Sequence, residues 1–211
     1  MKKYDLYLFD FDGTLFYTLP SLIDIFLGAF HKIGLNAKEE DCLRYSRIPL
    51  AESFAELGGK EEQVAPFVEE LERLIDDKDI MAKSEKYPES DEFFTYINKN
   101  HIRAGVVTSN NRTHVYDMFE EFDVPKGTFE IVVGNKEAEG TKPDPRPLLK
   151  ALELAGIKKE DYHQVVYVGD ALNDALAADN AGIDAILLDR NKEFDHIDKY
   201  PKIYNLMELF K

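Results

Sequence analysis

The stretch Tyr7-Leu8-Phe9-Asp10-Phe11-Asp12-Gly13-Thr14-Leu15 decides how this chain is read. An apolar run ends abruptly in two carboxylates two residues apart, followed by a glycine and a hydroxyl. Residues two apart on a strand face the same side, so a strand running into Asp10 and Asp12 presents two acids at its C-terminal tip. In open α/β sheets ligands bind at that edge. Two adjacent carboxylates repel each other, which points to a bound cation or a shared proton. The plain alternative is a strand leading into a polar turn.

Outward from this stretch, strand-like apolar runs recur at Tyr4–Phe9, Arg103–Thr108, Phe129–Val133, Gln164–Val168 and Ala185–Leu188. Helical patterns fall between the later ones, over Glu89–Lys99, Thr113–Glu121, Arg146–Ala155 and Asn173–Ala181. Strands alternating with helices predict βαβ units and an α/β fold, a Rossmann-like, mostly parallel sheet covered on both faces. The tail beyond Asn191 reads as a loop, a short final strand and a helix. The exception is the segment from Phe16 to Lys83, which holds no convincing strand. Leu22, Ile23, Phe26, Phe30 and Ile33 recur at helical spacing, with Gly34 where a helix should stop. Val64, Phe67, Val68, Leu71, Leu74 and Ile75 form a second amphipathic pattern, and shorter helical pieces fit Glu39–Tyr45 and Leu50–Leu57 before the Gly58-Gly59 break. A crossover needs only one helix. The expected organisation is therefore a core of residues 1–15 and 84–211 with an inserted helical domain over residues 16–83.

Three further stretches follow in order: Val106-Val107-Thr108-Ser109-Asn110, Gly140-Thr141-Lys142-Pro143-Asp144-Pro145, and Val168-Gly169-Asp170-Ala171-Leu172-Asn173-Asp174. With Asp10-Phe11-Asp12-Gly13-Thr14-Leu15 they resemble the four motifs of the haloacid dehalogenase superfamily, most of whose members are phosphatases. Residues 16–83 resemble the α-helical cap of its phosphoglycolate phosphatase-like and β-phosphoglucomutase-like branch.

The resemblance implies a role for each residue. Asp10 would be the nucleophile that forms an aspartyl-phosphate. Asp12 would be the general acid and base, its backbone carbonyl also meeting the metal. Asp170 would be the second carboxylate ligand. Asp174, one helical turn on, would hold a metal-bound water or orient Lys142. Asp10, Asp12, Asp170 and Asp174 thus form the expected metal set, and hard oxygen donors with an incomplete protein shell suit Mg²⁺. Thr108 would donate to a phosphoryl oxygen, with Ser109 beside it and the backbone N–H groups of Ser109 and Asn110 extending the cradle. Lys142, in a loop stiffened by Pro143 and Pro145, would offset the charge of the acids. In the cap, Arg44, Tyr45 and Arg47 fall between two short helices, where Arg47 is the candidate for reading substrate specificity; the plain alternative is a solvated arginine. Many relatives carry an acid at the position of Tyr17, a departure at the hinge into the cap that leaves the four motifs intact.

The reading is an Mg²⁺-dependent phosphatase acting on a small organic phosphate monoester, like phosphoglycolate phosphatase. A β-phosphoglucomutase-like transferase and a pyrophosphatase share every core residue and stay open. Asp12 sets haloacid dehalogenases and phosphonatases aside, since neither resembles the chain at that position. A non-enzymatic phosphate-binding domain would be expected to have lost one of Asp10, Asp12, Lys142 or Asp170.

Composition bounds the partners. The 211 residues carry a net charge of −15, which argues against nucleic acid, a target that needs clustered Lys and Arg, and against anionic membrane surfaces. A small phosphorylated metabolite remains compatible, because a metal and a lysine reverse the field locally. Cys42 is the only cysteine, so no internal disulfide forms, as in a reducing cytoplasm. The stretch after Met1-Lys2-Lys3 is interrupted by Asp5, Asp10 and Asp12, unlike a signal peptide. No run of about 18 apolar residues is present to span a membrane. The five histidines form no spaced cluster. A cytoplasmic monomer or weak homodimer is expected.

Overall fold

The computed structural model describes residues 2–45, 54–75 and 77–211. In chain order its strands are β1 (Leu6–Phe9), β2 (Phe16–Tyr17), β3 (Glu85–Lys86), β4 (Ala104–Val107), β5 (Ile131–Val133), β6 (Val165–Gly169), β7 (Asp184–Leu188) and β8 (Lys202–Ile203). The chain divides into two compact units, one of residues 1–16 with 86–211 and one of residues 17–85.

The first unit is built on a six-stranded sheet in the order β5-β4-β1-β6-β7-β8, with every neighbouring pair parallel. Its inner strands are apolar throughout because both faces are covered: β1, β4, β5 and β6 are buried at every residue. Successive side chains alternate between faces. Leu6 and Leu8 join an aliphatic layer with Val133, Leu148, Leu152, Ala178 and Leu187. Phe9 turns the other way, onto Phe93 at 5.3 Å and Phe129 at 6.2 Å between ring centroids.

The helices follow from their apolar spacing. Arg146–Leu154 buries Pro147, Leu148, Ala151 and Leu152. Leu172–Ala181 buries Ala175, Ala177, Ala178 and Ala181, small residues that let the helix lie close to the sheet. The tail forms β8 and a 3₁₀ turn over Leu206–Phe210. β2 falls inside a stretch read from sequence as free of strand; at two residues it is too short to leave an alternating pattern.

Register positions the functional edge. Phe9 pairs with Val106 on one side and Val168 on the other, so Asp10, Thr108 and Asp170 emerge from neighbouring strand tips. From β1 the sheet runs to β4 and β5 on one side, then to β6, β7 and β8 on the other. Ligands of open α/β sheets bind where strand order reverses in this way.

The second unit is helical, with helices at Leu19–Lys32, Glu39–Tyr45, Glu61–Ile75 and Lys78–Met81. Its core is Ile25, Ala29, Phe30, Ala37, Cys42, Phe54, Phe67 and Leu74. Phe67 packs against Phe30 with the rings tilted at 4.6 Å and meets Phe54 edge-on at 5.5 Å. A side chain at Gly28 would stand 2.7 Å from Leu74, so glycine there sets how closely the two long helices approach. Arg44 and Tyr45 end the Glu39–Tyr45 helix instead of lying in a loop after it. Arg47 and the first part of the helical piece expected over Leu50–Leu57 lie outside the described residues. No helix among the described residues is long and apolar enough to cross a membrane.

Two outcomes follow from this second core. Phe67→Ala removes a fully buried ring and is expected to destabilise the unit by about 3–5 kcal/mol, read by urea unfolding with amide exchange followed over residues 17–85. Burial pushes the Cys42 thiol from its ordinary 9.0 up to about 11, with Asp41 and Glu39 adding to the rise. The folded state thus favours the neutral thiol. Its contribution is full below pH 9.0 and is lost as pH rises towards about 11. Alkylation at pH 9.0 should be slow for the native chain and fast in urea.

Candidate active site

Asp10 follows β1 directly and is anchored by its amide, which donates to the Val168 carbonyl of β6 at 2.9 Å. Asp12 lies two residues on, Asp170 one residue beyond β6, and Asp174 in the first turn of the helix Leu172–Ala181. Gly13 adopts a φ of 75°, and a Cβ there would lie 2.3 Å from Asp170 Oδ2; only glycine lets this turn pack on that carboxylate. At Gly169 a Cβ would lie 2.3 Å from Asp174 Oδ2, so this glycine admits the Asp174 carboxylate to the strand tip.

Lys142 ties these acids together. Its Nζ stands 2.6 Å from Asp10 Oδ1 and 2.6 Å from Asp174 Oδ1. The other Asp174 oxygen accepts from the Ala171 amide at 3.0 Å. Asp170 Oδ1 accepts from the Thr14 hydroxyl at 3.3 Å. Asp12 Oδ2 accepts from the Asn110 side-chain Nδ2 at 3.4 Å, while Asp12 Oδ1 is buried with no hydrogen-bond partner among the described residues.

Burial opposes the charges of Lys142, Asp10 and Asp170. It would lower the Lys142 ammonium, but the Asp10 and Asp174 carboxylates hold it well above its ordinary value. Burial pushes the Asp10 carboxyl up; Lys142 opposes the rise, and Asp174, Asp170 and Asp12 add to it. Asp170 is pushed up to about 7, by burial first and then by Asp174. One lysine does not neutralise this many acids, so the set suits a cation. Carboxylate oxygens of Asp10, Asp170 and Asp174 all lie within 4.8 Å of one another, and hard oxygen donors of this kind fit a divalent ion such as Mg²⁺. Asp12, expected in the metal set, has no side-chain atom in this group.

At the neighbouring tip, Thr108 is buried and Ser109 exposed. The Thr108 amide donates to the Val133 carbonyl at 3.0 Å. Its Oγ1 accepts from the Asn110 amide at 3.0 Å, so that N–H, expected in the phosphate cradle, is turned onto Thr108 here. The N-cap of the following helix is Asn111, which accepts from the Thr113 amide. A cavity of about 170 Å³ opens here, lined by Thr108, Ser109, Gly134, Asn135, Gly140, Thr141 and Lys142 among others. Arg47 lies outside the described residues and is not placed.

Tyr167 is the residue that sequence reading missed. It sits in β6, 1% exposed, within the apolar run Val165–Val168. Its hydroxyl accepts from Lys142 Nζ at 3.2 Å and donates to the Val107 carbonyl at 2.7 Å. It thus joins the lysine to the strand end that carries Thr108. The one available signal was a polar atom inside an otherwise aliphatic central strand, where a buried hydroxyl needs a partner.

A buried acid cluster at the switch point of a parallel sheet, held by a lysine from a proline-rich loop, agrees with comparison to known proteins. Haloacid dehalogenase-like hydrolases match residues 7–188, and the chain belongs to that family of enzymes. It is 29% identical over 188 residues to phosphoglycolate phosphatase 1 of Pseudomonas aeruginosa, covering 84% of this chain and 66% of that protein, just under two thirds of its length. It is 31% identical over 182 residues to the pyrophosphatase PpaX of Bacillus cereus, covering 85% of this chain and 81% of that one. A crystal structure of a haloacid dehalogenase-like hydrolase from Bacteroides fragilis superposes with a TM-score of 0.83 at 27% identity, over 98% of this chain and 100% of that one.

Tyr167→Phe keeps the ring and removes the hydroxyl. It leaves the Val107 carbonyl unpaired and is expected to destabilise the first unit by about 1–3 kcal/mol. Turnover should fall by about tenfold as Lys142 loses a tether. Thermal unfolding and steady-state kinetics on the intact chain check both.

Proposed function

We propose that this enzyme is a Mg²⁺-dependent phosphatase that hydrolyses a small phosphate monoester through an aspartyl-phosphate on Asp10. The observation that carries the reading is Lys142 Nζ at 2.6 Å from both Asp10 and Asp174, beside an Asp12 oxygen buried without a partner among the described residues. Lys142 holds the Asp10 carboxylate in place and offers positive charge to an incoming phosphoryl group. Asp10 Oδ attacks phosphorus while the bond to the leaving oxygen breaks, and Asp12 gives that oxygen its proton. Asp12 then takes a proton from water, whose oxygen attacks phosphorus and releases inorganic phosphate as the bond to Asp10 breaks. An unpartnered, buried carboxylate oxygen is costly, and it suits a group whose partner is the substrate or its proton.

Asp10, Asp170 and the backbone of Asp12 would hold the Mg²⁺, with Asp174 beside Lys142 completing the acid set. When bound, the ion supplies charge neutralisation for the phosphoryl oxygens. Thr108 and Ser109, lining the cavity with Lys142, would receive those oxygens. We assign selection of the non-phosphate end to the helical unit of residues 17–85, as an α-helical cap. A phosphorylated metabolite in the cytoplasm is the proposed setting, and the single, buried Cys42 fits a reducing compartment. A second reading, hydrolysis of pyrophosphate, is favoured by the likeness to the Bacillus cereus protein; the same groups serve it with phosphate as the leaving group.

The test is phosphate release from a panel containing phosphoglycolate, sugar phosphates, nucleotides and pyrophosphate. Release should require Mg²⁺, vanish with a chelator, and return on adding the metal back. Asp10→Asn should fall to the uncatalysed background while staying folded. Release that survives Asp10→Asn would overturn the covalent route, and no release from any member would overturn the phosphatase reading. Removing Lys142 instead is a poorer control, because leaving its buried carboxylates unpaired costs about 3–5 kcal/mol.

A further inference from the structure

We propose that Arg190, with Tyr87 and Glu89, is a clamp that positions the Gly13–Thr14 turn and, through it, the Asp170 carboxylate. The proposal rests on the phosphatase reading above and adds positioning residues that lie outside all four motifs.

Arg190 stands two residues beyond β7. Its guanidinium carbon lies 3.5 Å from the centroid of the Tyr87 ring. Nη1 donates to Glu89 Oε1 at 2.5 Å, and Nη2 donates to the Thr14 carbonyl at 3.2 Å. The Tyr87 hydroxyl donates to the Gly13 carbonyl at 2.9 Å. Two successive carbonyls of the turn after Asp12 are therefore held by one stacked pair of side chains. On its other side the same turn meets the metal-binding acids. The Thr14 hydroxyl donates to Asp170 Oδ1 at 3.3 Å, and Gly13 packs so closely that a Cβ would lie 2.3 Å from Asp170 Oδ2. Any shift of the turn is thus passed to Asp170.

The chemistry selects arginine. A planar guanidinium stacks on an aromatic face and donates in its own plane at the same time, which a lysine ammonium cannot do. Glu89 fixes the plane by pairing with Nη1, and with 15% and 14% side-chain exposure the pair is largely withdrawn from water. A buried ion pair is weak evidence for stability alone. Here its geometry ends on a backbone turn between the nucleophile and a metal ligand. The clamp also gathers both chain crossings: Thr14 lies just before residue 16, where the first segment of the unit ends, and Tyr87 just after residue 86, where the chain re-enters it.

Full-length wild type, Arg190→Met, Arg190→Lys and Tyr87→Phe would be compared by circular dichroism, amide exchange over residues 11–16, Mg²⁺ calorimetry and phosphate release. Folded Arg190→Met should exchange faster in that segment, bind Mg²⁺ about tenfold more weakly and lose about tenfold in kcat, with KM nearly unchanged. Arg190→Lys should not restore these values, and Tyr87→Phe should shift them the same way by less. Unchanged exchange, Mg²⁺ affinity and kcat in folded Arg190→Met would overturn the clamp; so would a rise in KM alone, which would place Arg190 on the substrate. If Arg190→Met does not fold, Tyr87→Phe, which loses one hydroxyl, decides by the same signs. Wild type that releases no phosphate would sink the phosphatase reading, while amide exchange would still decide the clamp.

Discussion

One buried ammonium organises the functional edge of this molecule. Lys142 Nζ is 2.6 Å from Asp10 and 2.6 Å from Asp174, and the three side chains are 12%, 9% and 3% exposed. Carboxylates withdrawn from water repel one another, and each carries a desolvation penalty that only a close cation or extra hydrogen bonds offset. The lysine loop, the tip of β1 and the helix after β6 therefore meet at one point. The remaining acids, Asp12 and Asp170, exceed what a single lysine neutralises, and burial pushes Asp170 up to about 7. The site holds more negative charge than one lysine neutralises, and that surplus suits a divalent cation.

The scaffold serves this arrangement through register. β1 is flanked by β4 and β6 with Phe9 opposite both Val106 and Val168, so neighbouring strands release their functional residues at one level. The continuous burial of these strands makes the register rigid, because a slip by one residue would turn every side chain to the other face. Close packing completes the fit: the Gly13 turn rests on Asp170, and Gly169 leaves room for Asp174. Tyr167 links the lysine to the Val107 carbonyl beneath Thr108, tying two strand tips through one hydroxyl.

Much of this was legible in the amino-acid order. The strands and helices of the first unit announced themselves because parallel strands need unbroken apolar runs and their crossover helices need an apolar stripe. Asp10, Asp12 and Asp170 stood out as acids following apolar strands, Asp174 as an acid one helical turn beyond Asp170, and Lys142 as a lysine in a proline-stiffened loop. Family resemblance then supplied roles that spacing alone left open. What stayed hidden were residues whose contribution depends on distant partners. Tyr167 reads as another apolar strand residue, and its hydroxyl matters only once Lys142, 25 positions away, is brought to it. Arg190 and Tyr87 belong to no motif or periodic run, and their stack joins positions far apart in the chain. β2 was too short for any periodicity to show.

The sequence by itself determined the class of fold and the helical character of the inserted segment, and it singled out the acids and the loop lysine that the structure brings together. Those are local matters of side-chain period and turn chemistry. The tertiary structure alone decided which oxygen faces which nitrogen. It gave both Asp10 and Asp174 to Lys142, turned the Asn110 backbone amide onto Thr108, and left Asp12 Oδ1 without a partner among the described residues. Hydrogen bonds and ion pairs of this kind depend on distances set by register and packing across the sheet, and no neighbour in the chain carries that information.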